Sequence, residues 1–283
     1  MYLTLLVITN PLVAANNRSE NEGNLQTLQK LKTREGMRSI LSGYAIKRAI
    51  RDNMQAVGAT MWRKVLDNPG KNNSAGYGYG PKDEAAMVKA IPERSADYDD
   101  TICFGYMIAE KGVSDDASKQ RANVEVSNGV STTPYDGDMS FTQGLKATEG
   151  KLNPFSSEKH FTRYQYTINA NLRLLAARKN ALDLVLRSLL SLRVGGSHAS
   201  NASEVTPCII VWRFHDAPGC GGIYLGAGMD FLPDAPVDLS GLKAHCANLG
   251  ITDYRVAGLG QDMTAAGGID AIVHEAHLRM GVS

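Results

Sequence analysis

No run of apolar residues in this 283-residue chain approaches the ~20 that a membrane-spanning helix requires. The apolar opening Tyr2–Thr9 is short, follows no Lys or Arg and is halted by Pro11, so it reads as a buried strand and not as a signal peptide. No CxxC pair occurs. The four cysteines stand apart at positions 103, 208, 220 and 246, which argues against a zinc knuckle or thioredoxin-type motif and fits free thiols in a reducing cytoplasm. Aromatic residues are sparse, at 7%. His274 and His277 are spaced i,i+3, not the i,i+4 of a zinc-protease helix. The run Gly195-Gly196-Ser197-His198-Ala199 lacks the closing glycine of a serine-hydrolase elbow. There is no Walker A or EF-hand loop, and the scattered acids nominate no carboxylate pair. Composition and motifs therefore point to no catalytic residue, metal or cofactor.

What the chain does have is an ordinary globular content of apolar residues, 43%, and enough length to bury a sizeable core. No linker or internal repeat divides it, so a single domain with large insertions is expected. The net charge of +1 conceals an asymmetry. Residues 1–64 carry ten Lys and Arg against four acids, a local +6 that leaves −5 for the rest. Clustered cations on a near-neutral protein are what a polyanion site looks like, although charges that balance across a folded surface give the same count.

Periodicity gives the order strand, helix, strands, helix, strand, helix, hence an α+β fold. The polar stretch 10–23 reads as loop, and Arg34-Glu35-Gly36 marks a turn. Ser42 is an N-cap for a helix expected over 43–66, on which Ile46, Ala49, Ile50, Met61 and Trp62 recur at three- and four-residue spacing. Lys47 and Arg51, four apart, project together from it, with Arg48 beside them. A short helix is expected at 83–91. Strands are expected at 102–109, 124–133, 161–168 and 208–214; Gly105 inside the first marks close approach by a ligand or by backbone. Between them 134–157 is an irregular excursion that exposes Met139 and Phe141, and connections of that length are usually functional. The strongest helical pattern spans 171–192 and stops at Gly195-Gly196; further helices are expected at 239–249 and 271–279. Basic groups that hold phosphates, with apolar wedges that part bases, are the components of a single-strand nucleic-acid binder.

Four stretches then resemble, in order, the backbone subunit of CRISPR Cascade-type interference complexes, in the DevR-like group of the RAMP superfamily. They are the opening strand with its Asn-rich loop and GNLQTLQKLKTREGMR; ILSGYAIKRAIR, similar to the family's ISSQALKRALR helix start; ICFGYM followed by RANVEVSNGVSTTPYDGDMSFT; and FTRYQYTINANL, the long helix and GGSHASNASEVTPCIIVWRF. Together they cover about 1–64 and 100–215. The resemblance implies an RRM-like (ferredoxin-like) palm, a helical finger insertion at about 52–100 and a β-hairpin thumb at about 134–157, all in one domain spanning 1–283. It implies a cytoplasmic, non-enzymatic subunit of a type I complex. Copies would stack head to tail along crRNA, target DNA would be engaged by guide pairing, and crRNA-end-capping and large subunits would be neighbours.

RNA contacts are expected of Arg18, Arg34 and Arg38 as cations of the basic segment before the helix, and matching positions assign them to Ser42, Lys47, Arg48 and Arg51 at its start. They also assign Phe141 and Thr142 as the thumb wedge, Met107 in the palm strand as the apolar residue facing it, and Arg193, Ser197, His198 and Ser200 around the turn after the long helix. Arg48 either holds phosphate or pairs internally. Phe141 either parts bases or plugs an apolar pocket, and Met107 has ordinary core as its alternative. Two features depart from the family: Gly43-Tyr44 stands where polar residues are usual, and the turn after the long helix lacks a Lys or Arg apart from Arg193. The loop 16–24 offers Glu20 and Glu22 but no aspartate where RNA-cutting relatives carry one, so no nuclease activity is expected. The alternatives are an RNA endonuclease on the same fold, using an acid among Glu20, Glu22, Asp136 and Asp138 with a divalent metal, and an unrelated soluble enzyme or regulator.

Overall fold

The computed structural model describes residues 1–15, 21–22, 25–62, 64–65, 77–78, 95–107, 119–145, 152–194, 203–219, 222–223, 232–258 and 268–281. Along the chain these form β1 (Tyr2–Thr9), β2 (Leu12–Ala14), β3 (Lys30–Thr33), β4 (Gly36–Leu41), α1 (Gly43–Ala56) and α2 (Asp99–Phe104). There follow β5 (Tyr106–Met107), β6 (Lys119–Gln120), β7 (Val124–Val126), β8 (Gly129–Ser131), β9 (Asp138–Leu145), β10 (Leu152–Thr162), β11 (Tyr164–Asn171) and α3 (Lys179–Ser188). The last are β12 (Arg193–Val194), β13 (Ser203–Glu204), β14 (Pro207–His215), α4 (Ser240–Asn248), β15 (Tyr254–Gly258) and α5 (Ile269–Arg279). The fold is a mixed α+β one built on antiparallel sheet.

The main sheet runs β15–β14–β1–β11–β8–β4–β3, with β7 also pairing β11, and every one of these pairings is antiparallel. Residues 3–9 of β1 are fully buried because both faces of the strand are covered. Successive side chains point to opposite faces. Leu3, Leu5 and Val7 pack with Ile46 and Ile50 of α1, Leu182, Val185 and Leu186 of α3 and Ile272 of α5. Leu6 and Ile8 pack with Ile209 and Val211 of β14 and Leu242 and Cys246 of α4. A strand covered on both faces reads as a continuous apolar run, which is how Tyr2–Thr9 looks in the sequence.

The helix expected over 43–66 ends at Ala56. Gly58, at φ +90°, closes it with Gly58 N–H on the Gln55 carbonyl (3.1 Å) and Ala59 N–H on the Met54 carbonyl (3.0 Å), the paired bonds of a Schellman motif. The strand expected at 102–109 opens as helix: α2 occupies Asp99–Phe104, and among the described residues only Tyr106–Met107 is extended. Asp99 and Asp100 sit in its first turn, where the helix dipole favours them. Its apolar residues are buried all round, so their pattern did not separate strand from helix. Gly105 ends α2 at φ +65°; a Cβ there would lie 2.1 Å from the Gln120 carbonyl, so the close approach is by backbone.

The strand expected at 124–133 is split at Ser127-Asn128. Both side chains are in use there: Ser127 Oγ accepts from Thr167 N–H (2.9 Å) and Asn128 Oδ1 from Gly43 N–H (2.9 Å). The polar stretch 10–23 is not all loop, since β2 pairs with β10. The long helix breaks near Arg178, at φ −145°, whose guanidinium reaches the Asp99 carboxylate and the Ala96 carbonyl. The excursion 134–157 is not irregular: β9 and β10 form a hairpin whose register runs from Asp138↔Lys159 to Leu145↔Leu152. The helix at 83–91, and most of the finger segment 52–100, lie outside the described residues.

Candidate nucleic-acid interface

The interface is built around α1. Ser42, in extended conformation, caps it by accepting Ala45 N–H at its hydroxyl (3.2 Å). Gly43 is needed at the first helical position because a Cβ would meet the Val126 carbonyl oxygen at 2.6 Å. Ile46, Ala49, Ile50 and Met54 turn inward, and the remaining face carries Tyr44, Lys47, Arg48 and Arg51.

These residues form one wall of an open cleft of about 580 Å³, whose other lining comes from Trp62, Phe104, Gly105, Tyr106, Met107 and Gln120. Among the described residues the lining holds three cations and no acid. Arg51 donates to the Gly105 carbonyl (3.4 Å), and its guanidinium carbon lies 5.2 Å from the Phe104 ring centre. Lys47 Nζ lies 4.8 Å from the Tyr44 ring centre. Cations over ring faces are stabilised without being neutralised. Burial first, and then the neighbouring Arg51 charge, hold Lys47 below its ordinary pKa. The Trp62 main chain is fixed by Asp100, which accepts its N–H (2.8 Å), and its ring meets Tyr106 edge-on at 5.9 Å. Burial raises the Tyr106 phenol.

The structure therefore brings Lys47, Arg48, Arg51 and Met107 of the expected contacts into one cleft. Arg48 sits 4.0 Å from Asp52, one turn on, so it does pair internally while lining the rim. Met107 is neither core nor part of the main sheet. It is 74% exposed, on a separate ribbon of β5 and β6. The assignment of Arg38 is corrected: it is buried, because its guanidinium is engaged within the fold by the Ser131 carbonyl of the adjacent strand β8 (3.2 Å) and by Glu35 (2.7 Å). Arg34 is exposed at the turn of that hairpin. Arg193 is exposed and 3.7 Å from Glu204 across β12–β13. Arg18, Ser197, His198 and Ser200 lie outside the described residues, as does the Thr142 side chain. The sequence reading did not assign Tyr44, Trp62, Tyr106 or Gln120 to the site. Tyr44 had a signal, an aromatic three residues before Lys47; the others arrive only through tertiary contact.

The hairpin carries Met139 and Phe141, 66% and 64% exposed, two residues apart and so on one face. Its base is a buried polar junction with the main sheet. Glu158 accepts from Leu28 N–H (2.7 Å) and Lys30 Nζ (2.6 Å). Burial, and then Glu158, push the Tyr135 phenol up to about 12. Ser39 bonds both His160 Nδ1 (2.8 Å) and Tyr164 OH (2.7 Å), and burial lowers the His160 pKa.

This is an α+β protein with a cationic, aromatic-walled cleft on α1 and a hairpin that exposes Met139 and Phe141. A family model for the CRISPR-associated negative auto-regulator DevR/Csa2 matches residues 8–209. The chain belongs to that family. It is 28% identical over 239 residues to the CRISPR-associated protein Cas7/Cst2/DevR of Myxococcus xanthus (strain DK1622), covering 76% of each chain. Its fold is similar to a chain of a solved CRISPR RNA-guided surveillance complex described as pre-nicking, with TM-score 0.65 and 16% identity over 98% of this chain and 100% of that one. A chain of a second CRISPR RNA-guided surveillance complex gives TM-score 0.57 and 14% identity, again over 98% and 100%.

Proposed function

We propose that this chain is a crRNA-binding backbone subunit of a type I CRISPR surveillance complex. The observation that carries the reading is the cleft on α1, where Lys47 and Arg51 stand together with no acid among the described residues of the lining, in a chain of the DevR/Csa2 family. Paired cations at a surface groove grip phosphates and carry no base information. Bases left free can pair with target DNA, so sequence recognition is delegated to the guide, the logic by which other RNA-guided effectors work.

The main sheet supports the palm reading. Strands β14, β1, β11 and β7/β8 lie in that order, α1 falls between β1 and β7, and α3 falls between β11 and β14. A ferredoxin-like, RRM-like palm has a β-α-β-β-α-β connection in this same order, which is what supports the reading. The β9–β10 hairpin is then the thumb, with Phe141 as its wedge. A hairpin on one copy reaching the palm of the next is a heterologous contact, and such contacts propagate into helical filaments. The chain is read as a scaffold without enzymatic activity, with DNA cleavage left to another protein.

The test is expression with a CRISPR array and neighbouring subunits, followed by extraction of nucleic acid from the high-mass fraction. A discrete crRNA-sized species, lost when Lys47 and Arg51 become Ala, is the expected result. A nucleic-acid-free monomer in the presence of guide and partners overturns the reading. Metal-dependent cleavage of target RNA that disappears in Glu20→Ala or Glu22→Ala chains would make the protein a nuclease instead.

A further inference from the structure

Among the described residues the main sheet ends at β15, which pairs with β14 alone. An edge strand presents a row of backbone N–H and C=O groups to any chain that lies beside it. Helix α5 flanks this edge, and Arg255 of β15 reaches Glu275 of α5 at 2.8 Å. Between strand and helix is a cleft of about 240 Å³, also lined by Trp212 and Phe214 of β14 and by Arg279 of α5. It shares no lining residue with the α1 cleft.

One carboxylate serves two guanidiniums in this cleft. Glu275 takes Arg255 at 2.8 Å and Arg279 at 2.9 Å, and Arg279 also lies over the Phe214 ring, 4.6 Å from its centre. The third arginine of the lining, Arg213, is matched by Asp253 at 2.7 Å, so the described lining keeps one positive charge in surplus. Each guanidinium has five N–H donors in a planar fork, and one shared carboxylate cannot fill two forks. Trp212 is 4% exposed, and its indole N–H has no acceptor among the described residues. Buried donors are nearly always bonded, so an orphan in a cleft wall calls for an acceptor. A second carboxylate would supply acceptors to all of these donors and neutralise the surplus charge. The volume is below the roughly 300 Å³ at which sites for whole small molecules begin, so the cleft suits one protruding side chain.

We propose that the β15–α5 cleft binds a partner polypeptide. An extended acidic segment adds to the outer edge of β15 and seats one Asp or Glu carboxylate between Arg255 and Arg279, over Trp212. In strand addition the backbone hydrogen bonds give affinity, and a pocket for an alternate side chain gives specificity. A segment with Lys or Arg at that position would meet three guanidiniums and be refused.

The experiment selects random eight-residue peptides, displayed on phage, against the full chain, and resynthesises the enriched sequences. The expected result is an Asp or Glu at one fixed position among alternating β-branched residues. Replacing that residue by Asn or Gln is expected to weaken binding roughly 10- to 100-fold. Arg255→Gln is expected to do the same to the unaltered peptide, and the two changes together to cost less than their sum, because they remove one contact. Hydrogen exchange of β15 amides is expected to slow on binding while that of β3, at the other end of the sheet, does not. Arg255 is 60% exposed, so an unchanged melting temperature for Arg255→Gln separates loss of the contact from loss of the fold. The peptide substitution reads the same contact with the protein untouched. Selection without an acidic consensus, or additive losses, overturns the carboxylate seat, and unchanged β15 exchange overturns strand addition. Calorimetric binding of inorganic phosphate that Arg255→Gln abolishes, with no acidic peptide selected, makes the cleft a simple anion site and overturns the proposal. So does binding of single-stranded RNA that is weakened by Arg255→Gln and unaffected by Lys47→Ala. Because the two clefts share no residue, failure here leaves the RNA-backbone reading of α1 standing.

Discussion

Lys47 and Arg51 stand one helical turn apart on the same wall of the cleft, and the pair sets how the site responds to pH. Lys47 loses its proton below its ordinary 10.5 because burial and Arg51 disfavour its charge. The unfolded chain keeps that proton longer. Between the two values the stability of the free protein therefore rises with pH, as the cost of the buried charge is relieved. RNA affinity moves the other way, because phosphate needs the cation. Binding should weaken as pH climbs through the alkaline range short of 10.5, and Lys47→Arg should flatten the profile, since a guanidinium stays charged there. Filter binding across pH with both proteins checks this. Ser42 separates capping from RNA contact. Its hydroxyl oxygen is occupied by Ala45 N–H, so Ser42→Ala is expected to cost about 1 kcal/mol of stability, seen in urea melts. An affinity loss well beyond that would show that its O–H also reaches the strand.

The hairpin is the element whose attachment decides how its exposed Met139 and Phe141 are presented. Its buried base depends on a neutral His160 between Ser39 (2.8 Å) and Thr133 (3.3 Å), with the Tyr135 ring edge-on at 5.5 Å. Arg38 opposes a proton on this imidazole, and Asp136 and Asp138 favour one, yet burial outweighs them and the pKa is lowered from 6.5. Because the folded value lies below the unfolded one, this junction contributes fully above about pH 6.5 and loses stability as pH falls through the window beneath it. Hydrogen exchange of β9 and β10 amides should therefore quicken on acidification before that of β1 does. His160→Gln should abolish the difference. Equal acceleration of both strands would place the acid-sensitive group elsewhere. By contrast Phe141→Ala, at an exposed position, should shift stability by no more than about 0.5 kcal/mol while altering the guide RNA's protection pattern in the assembled complex.

At the scale of the whole molecule, Arg163 joins three parts. It is the one residue between the last strand of the hairpin, β10, and β11 of the main sheet. Its buried guanidinium donates to the carbonyls of Thr9 (3.2 Å), Leu232 (3.3 Å), Pro233 (3.4 Å) and Ala235 (3.3 Å). Nothing in its surroundings in the sequence announces this. Arg163→Ala leaves those carbonyls without their charged donor and should cost about 3 kcal/mol, enough to lower the melting temperature by several degrees in calorimetry. Arg163→Lys should recover only part of the loss, because one ammonium cannot span four carbonyls.

Part of this was legible from the sequence, and the reason differs by feature. Tyr2–Thr9 announced a strand buried on both faces, because continuous β-branched and aliphatic residues have no solvent side to keep polar. The cation pair on α1 was legible because four residues make one helical turn, and the cap because Ser42 precedes an apolar 3.6-residue period. Arg38 and Phe104 show what was not. A charge in a basic segment and an apolar run before a glycine each fit two environments. Only the tertiary structure decided that Arg38 is buried against the Ser131 carbonyl, that Ile102–Phe104 is helical, and that Trp62 and Tyr106, 44 positions apart, line one cleft with Lys47. The sequence by itself determined periodic, local features, since these depend on neighbours within a turn or a strand. The cleft depends on which elements pack together, and that is settled by long-range burial.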